Sequence, residues 1–258
     1  MLDFAVTLAR EAGDILMRSH GKIERNEIGY KGWRNLVTEL DVAVEDHVAG
    51  RILERFPDHG ILGEERVRKE PDGDCAYRWV IDPLDGTTNY VHSHAIFCVS
   101  ICIEEAGEGI VGVVFAPYLE EMFTAEKGGG SFLNGTTCRV SEESDLRHAL
   151  LASGFAYGKD DRVDANLIHW SHLSMVCRGL RRCGSAALDM AYVACGRYEG
   201  FWELFLSPWD VAAGAVLVSE AGGVVTDFGG GNGWQDGSQI IATNRLLHDE
   251  IKSHLSEG

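Results

Sequence analysis

Residues 79–90 read Trp-Val-Ile-Asp-Pro-Leu-Asp-Gly-Thr-Thr-Asn-Tyr (WVIDPLDGTTNY), and this stretch decides the fold and the chemistry. The apolar run Trp79-Val80-Ile81 delivers Asp82 to the end of a strand. Pro83 has no N–H to give to a ladder, so pairing is expected to stop there. Asp85, Gly86, Thr87 and Thr88 follow at once. Two carboxylates three residues apart, beside hydroxyls and a glycine, make a hard-oxygen set suited to a divalent cation such as Mg²⁺. The same residues also satisfy ordinary turn chemistry, so the metal reading depends on carboxylates elsewhere.

Three other places supply them. Glu64 and Glu65 follow Gly63 at the end of the short apolar run Ile61-Leu62. Asp210 opens a helical segment directly after Pro208-Trp209, and Asp41 lies early in a helix after Leu36-Val37-Thr38. Each has a bland reading when taken alone: an acid in a first helical turn complements the helix dipole, and Glu64-Glu65 could be a polar turn. Their sum points to one site, because ligands bind at the ends of strands in α/β sheets.

Around these segments the chain reads as follows. Phe4, Leu8, Ala12, Ile15 and Leu16 form one helical face, with Asp3 as its expected cap. A second helix is expected from Thr38 to Phe56, stopped by Pro57. From Phe97 to Ile103 apolar residues alternate, and Cys98 and Cys102 make the other face apolar too. Strands at 110–115 and 121–125 continue an antiparallel meander. Beyond Ser141–Arg147 the rhythm changes to alternation. Strands are expected at 150–152, 180–182, 198–203, 224–225 and 240–242, and helices at 165–176, 185–195 and 208–221, with a last helix after Asn244. The expected organisation is one domain over 1–258. Its N-terminal α+β half, 1–143, carries the meander, and its C-terminal α/β half spans 144–258.

The net charge is −17, from 40 acidic and 23 basic residues. A phosphate backbone needs a basic face, so no nucleic-acid partner is expected. A small phosphorylated substrate stays open, since bound cations invert the local field. Seven cysteines are scattered without a C-x-x-C, which fits a reducing cytosol and a cytoplasmic location. No basic-then-apolar leader and no apolar run near 18 residues is present, so neither secretion nor a membrane span is expected. Other chemistries lack their residues: there is no phosphate-binding G-x-x-x-x-G-K-[ST], no H-E-x-x-H and no G-x-S-x-G. A covalent aspartyl mechanism would want D-x-D-G-T, and Asp82-Pro83-Leu84-Asp85-Gly86-Thr87 is one residue too long. The triple glycines at 128–130 and 229–231 read as turns.

With these residues in place the chain resembles the inositol monophosphatase family, metal-dependent and lithium-sensitive sugar and inositol phosphatases. The resemblance rests on Leu36-Val37-Thr38 with Asp41, Gly63-Glu64-Glu65, WVIDPLDGTTNY, residues 128–135 (GGGSFLNG), Gly184-Ser185-Ala186-Ala187, Trp209 to Gly214 (WDVAAG) and Glu220-Ala221-Gly222-Gly223. It implies an α/β (α+β) fold, a layered αβαβα sandwich of the inositol monophosphatase / fructose-1,6-bisphosphatase type, usually a homodimer. It implies two to three Mg²⁺ ions, with Mn²⁺ as a substitute. Glu64, Asp82 and the Leu84 carbonyl would hold the first ion; Asp82, Asp85 and Asp210 the second; Glu64 or Glu65 would help a third. Glu64, Thr87 and Asp41 would be the catalytic set, Thr87 holding the attacking water with Asp41 behind it. Gly86 and Thr87 would offer N–H groups to the phosphate. Ser185, Ala186, Glu203, Asp210 and Lys31 would complete the substrate side, Glu203 accepting from polyol hydroxyls.

The resemblance implies hydrolysis of inositol 1-phosphate or a related sugar monophosphate. Fructose-1,6-bisphosphatase and histidinol-phosphatase activities share the scaffold, as does a non-catalytic binding member whose pocket has decayed. A decayed pocket should have lost carboxylates, and Glu64, Asp82, Asp85 and Asp210 are all present.

Overall fold

Trp79, Val80 and Ile81 are consecutive and all apolar, so their strand must be covered on both faces. The computed structural model, which describes residues 1–22, 28–30, 36–155 and 160–256, shows what covers them. Helix α1 (Leu2–Ser19) and helix α2 (Glu39–Arg55) flank an antiparallel ribbon of β1 (Ile28–Tyr30) and β2 (Leu36–Thr38). Then come β3 (Gly60–Gly63), β4 (Arg68–Lys69), β5 (Tyr77–Asp85) and the short helix α3 (Thr87–Val91). The meander follows: β6 (Cys98–Glu105), β7 (Glu108–Ala116), β8 (Glu121–Glu126), β9 (Gly130–Leu133) and β10 (Thr136–Cys138). The remainder is β11 (Leu150–Ser153), α4 (Asp160–Val176), β12 (Gly179–Arg181), α5 (Ala186–Ala194), β13 (Gly200–Leu204), α6 (Pro208–Glu220), β14 (Val224–Thr226), β15 (Gln239–Thr243) and α7 (His248–Ser256).

Among the described residues an eight-stranded sheet runs β10-β9-β8-β7-β6-β5-β3-β4, antiparallel except for the parallel β3–β5 pair. A five-stranded sheet runs β12-β11-β13-β15-β14, with β11 parallel to both its neighbours and β15 antiparallel to both of its own. Side-chain alternation sorts the core. Trp79, Ile81, Phe97, Val99, Ile101 and Ile103 pack against Leu8, Leu16, Val44 and Val48 of α1 and α2. Val80, Cys98, Cys102 and Val114 face the other way, onto Leu188, Met190, Val211 and Leu217 of α5 and α6. Phe201, Ile240 and Ala242 of the smaller sheet meet the same two helices. Its opposite face, Leu151, Trp202 and Ile241, packs on Leu173 of α4 and on Ile251 and Leu255 of α7. The layers are therefore α1/α2, large sheet, α5/α6, small sheet and α4/α7. Burying each aliphatic or Phe side chain contributes roughly 1.5–3 kcal/mol.

Close packing of the central layer needs small residues. A Cβ on Gly112 of β7 would lie 2.5 Å from the Ala213 carbonyl oxygen of α6. Helix and sheet backbones approach directly there, and no larger residue fits.

Several expectations shift by a residue or two. Helix α2 is bounded at Glu39 and Arg55 instead of Thr38 and Phe56. Met1, and not Asp3, occupies the cap of α1, with Asp3 inside the first turn. Pro83 does not end its strand: β5 continues to Asp85, and the register shifts between Asp82 and Asp85. The proline is absorbed as an irregularity at which the ladder skips, as a residue without an N–H requires.

Candidate metal centre

The shift at Pro83 has a chemical consequence. It turns the chain between Asp82 and Asp85 so that both carboxylates project toward one point. Asp82 is buried, and its Oδ1 accepts the Leu84 N–H at 2.9 Å, closing a tight local turn. Asp85 is buried beside it; its Oδ2 accepts the Ser185 hydroxyl at 2.8 Å and the Ala187 N–H at 2.8 Å. These donors come from the start of α5, so the middle helical layer fixes the second carboxylate. Asp210 arrives from the start of α6, where its Oδ2 accepts the Ser207 N–H at 2.7 Å. It serves the helix cap and the site together.

Asp82, Asp85 and Asp210 each offer an oxygen, and the three oxygens lie within 4.8 Å of one another. Such crowding is unfavourable without a cation. Burial, then the charges of Glu64, Asp85 and Asp210, push the Asp82 carboxyl well above its usual range. Burial, then the Asp85 charge, does the same to Asp210. Asp85 rises to about 6 through burial, restrained by its bonds to Ser185 and Ala187. Buried oxygen ligands that repel one another are the donor set a hard divalent cation relieves.

Glu64 comes from the end of β3; its N–H donates to the Ile81 carbonyl at 3.1 Å, and its side chain hydrogen-bonds Asp82. Thr87 follows Gly86, whose φ of 94° would strain a side chain and whose added Cβ would meet the Ile96 carbonyl at 2.9 Å. The Thr87 hydroxyl lies 3.3 Å from Asp41 Oδ1, its acceptor, and 3.1 Å from the Leu84 carbonyl. Asp41 is fully buried on α2. Lys31 lies outside the described residues. The structure thus gathers Asp41, Glu64, Asp82, Leu84, Asp85, Thr87 and Asp210. Ser185 stands beside them, its hydroxyl donating to Asp85.

Glu203, the penultimate residue of β13, is buried and pressed against Gly154, where any Cβ would strike its carboxylate. Burial raises its carboxyl to about 8, opposed by the charge of Arg182. Asp189 of α5 is also buried, with Oδ1 lacking a hydrogen-bond partner.

Residues that sequence reasoning missed support this group. Glu45 of α2 is fully buried, and its carboxylate accepts N–H groups from Glu65, Arg66 and Val67, each at 2.7 Å. It shapes the turn that presents Glu64; Glu65 lies in that turn, outside the three-carboxylate group. The Arg68 guanidinium donates to the Gly63 carbonyl and lies 4.9 Å from the centroid of the Trp209 ring. It thereby ties the segment before Glu64 to the residue before Asp210. Asn89 donates from Nδ2 to the carbonyls of Ile96 and Cys183 at 2.6 and 2.8 Å, joining the Asp85 loop to the start of α5. A signal for Glu45 existed: Asp41 and Glu45 stand four residues apart among Val44 and Val48, and a carboxylate on a buried stripe needs a partner.

A layered α/β protein with a carboxylate cluster at its strand and helix ends has the donor set that could hold a hard cation. The model of the inositol monophosphatase family matches residues 1–258. A protein from Pseudomonas aeruginosa described as Nus factor SuhB is 42% identical, the match covering 99% of this chain and 97% of that one. An inositol-1-monophosphatase from Mesorhizobium japonicum is 38% identical, with 96% and 92% covered. Among solved structures, extragenic suppressor protein suhB from Bartonella henselae superposes with a TM-score of 0.94 at 37% identity over 99% of this chain and 98% of that one. The Thermotoga maritima IMPase gives 0.90 at 37% identity, covering 99% and 96%. The chain belongs to the inositol monophosphatase family, a family of metal-dependent phosphatases. No helix among the described residues is long and apolar enough to cross a membrane.

Proposed function

We propose that this protein is a Mg²⁺-dependent phosphomonoesterase that hydrolyses inositol 1-phosphate or a related sugar monophosphate by direct attack of water. The observation that carries the reading is the convergence of Asp82, Asp85 and Asp210 within 4.8 Å. Glu64, Asp82 and the Leu84 carbonyl are the proposed holders of one ion, Asp82, Asp85 and Asp210 of a second, and Glu64 or Glu65 of a third. When bound, Mg²⁺ supplies charge neutralisation of the phosphoryl oxygens and a lowered pKa for the attacking water.

The chain's own residues do the rest. The Thr87 hydroxyl, facing Asp41, positions the water and relays its proton, with Glu64 as the neighbouring base. The Gly86 and Thr87 N–H groups orient the phosphate. Ser185 and Ala187 hold Asp85 in place as charge develops. Glu203, at the end of β13, accepts from hydroxyls of the polyol or sugar. No residue needs to become phosphorylated.

Two relatives are described by different names, a Nus factor and an inositol-1-monophosphatase. A non-catalytic member of the family is the second reading, and the intact carboxylate cluster favours the first. A phosphate-release assay with Mg²⁺ over inositol 1-phosphate, fructose 1,6-bisphosphate, histidinol phosphate and adenosine 3′,5′-bisphosphate separates them. Fastest release from inositol 1-phosphate is expected. No release from any of the four sinks the phosphatase reading.

A further inference from the structure

Asn166 belongs to α4 and is 2% exposed. The layer it joins is apolar, lined by Leu151, Leu173 and Ile241. A leucine there would bury without polar groups to satisfy, so an amide needs a reason. Both ends of the amide are engaged. Nδ2 donates to the Ser153 hydroxyl oxygen at 2.9 Å and to the Gly154 carbonyl, and Oδ1 accepts the Trp202 indole N–H at 2.7 Å. Ser153 and Trp202 are themselves fully buried. A satisfied buried network fixes its members more tightly than apolar contact does.

Ser153 ends β11, and Trp202 is its partner in the parallel β11–β13 pair. Asn166 therefore clasps two strands at one rung. Gly154 and Glu203 come next along the two chains. Phe201 faces α5 and α6, and Trp202 faces the α4/α7 layer, so alternation turns Glu203 toward α5 and α6. The start of α5 holds Asp85 through Ser185 and Ala187, so this is the face that carries the site. Gly154 touches Glu203 there: a Cβ on Gly154 would collide with both carboxylate oxygens. One turn beyond Asn166, Trp170 packs on Phe155 with 5.6 Å between ring centroids. Helix α4 thus holds the chain on both sides of Gly154, and the place of the Glu203 carboxylate depends on where the two strands end.

We propose that Asn166 is a positioning residue for the substrate: by clasping β11 to β13 from the opposite face of the sheet, it sets the Glu203 carboxylate where the hydroxyls of the polyol or sugar meet it. The inference rests on the reading of Glu203 as the acceptor for those hydroxyls. Asn166 touches neither substrate nor metal, and it acts through the backbones of Gly154 and Glu203. The groups proposed for the phosphate end, Asp82, Asp85, Thr87 and Asp210, stand on β5, α3 and α6. Loss of the clasp should therefore weaken recognition of the leaving alcohol and spare the phosphate end.

Phosphate release with Mg²⁺ is measured for the full-length wild type, Asn166→Leu, Glu203→Gln and the double variant. The substrates are inositol 1-phosphate and p-nitrophenyl phosphate, whose leaving group carries no further hydroxyl. Asn166→Leu should raise KM for inositol 1-phosphate roughly tenfold, with kcat and the KM for p-nitrophenyl phosphate held within about twofold. In the Glu203→Gln background the same substitution should move KM by less than about twofold, because two residues acting through one contact are not additive. Equal KM rises on both substrates, or a full rise that persists in the Glu203→Gln background, show a general structural role and overturn the proposal. An unchanged KM in Asn166→Leu overturns it while leaving Glu203 as the acceptor. A Glu203→Gln variant with wild-type KM, or a wild type that releases no phosphate, overturns the reading beneath it and the inference with it. If Asn166→Leu fails to fold, Ser153→Ala removes one partner of the amide and should raise KM for inositol 1-phosphate alone by about threefold. No rise in that variant overturns the proposal.

Discussion

The Glu45 carboxylate on α2 accepts the Glu65 N–H at 2.7 Å, so a helix in the outer layer sets the turn that follows β3. Oε1 of the same carboxylate takes the N–H groups of Arg66 and Val67. Gly63 is part of the same fit, since a side chain there would collide with Glu45. Glu45→Gln puts an amide N–H₂ against backbone N–H donors. The expected cost is about 1–3 kcal/mol of stability. Mg²⁺ affinity should weaken about tenfold or more, since partners that orient a ligand are worth that much. Thermal melts and a Mg²⁺ titration of activity check both. Unchanged Mg²⁺ affinity would show that the turn does not depend on Glu45.

The Thr87 hydroxyl donates to Asp41 Oδ1 and also reaches the Leu84 carbonyl. Thr87→Val keeps the shape and removes the hydroxyl. We expect kcat to fall roughly 10²–10³-fold with KM little changed, the pattern of a lost proton relay. Thr87→Ser should recover most of the rate. Steady-state kinetics of the two variants test this, and a valine variant as fast as the serine one would exclude the relay.

Asp210 lies among buried carboxylates that repel it. Mg²⁺ that binds only the folded protein stabilises it by about 2.7 kcal/mol at a hundredfold excess over Kd. For a chain of this length that is a Tm rise of roughly 5–10 °C. Asp210→Asn should lose most of that rise together with activity. Its metal-free Tm should equal or exceed the wild type's, because one buried charge has been removed. A wild-type Tm indifferent to Mg²⁺ and to chelator would count against a metal centre here.

Much of this was legible in the chain. The five layers follow from where apolar residues fall on one face or both, as in Trp79-Val80-Ile81 and in the strand from Cys98 to Glu105. Asp82, Asp85 and Asp210 were visible because carboxylates at strand and helix ends have few other reasons to cluster. The path of β5 through Pro83 was not legible, because whether a proline ends a ladder or is skipped depends on the neighbouring strand's register. Asp3 has the residue type of a cap, yet the helix starts at Leu2 with Met1 at the cap and Asp3 inside the first turn. Short strands such as β4, with two residues, carry too little pattern to be read. Glu45 was passed over because its partners are backbone N–H groups 20 to 22 residues away, which no local spacing announces.

Glu203 gives a test that does not rest on the metal ligands. Its carboxyl rises to about 8 because the end of β13 is buried. The folded state therefore binds its proton more tightly than the unfolded chain, where a Glu titrates near 4.5. The stability from this group is present in full below about 4.5, and it is lost as pH rises toward 8. Glu203→Gln mimics the protonated form at every pH. The variant should match the wild type near pH 5 and exceed it by on the order of a few kcal/mol near pH 9. Denaturant melts in chelator at the two pH values measure the difference. A constant offset between wild type and Glu203→Gln across that range would mean that Glu203 is charged in the fold. With substrate present the same variant should raise KM more than it lowers kcat, because a neutral amide still fills the site while its acceptor pattern has changed.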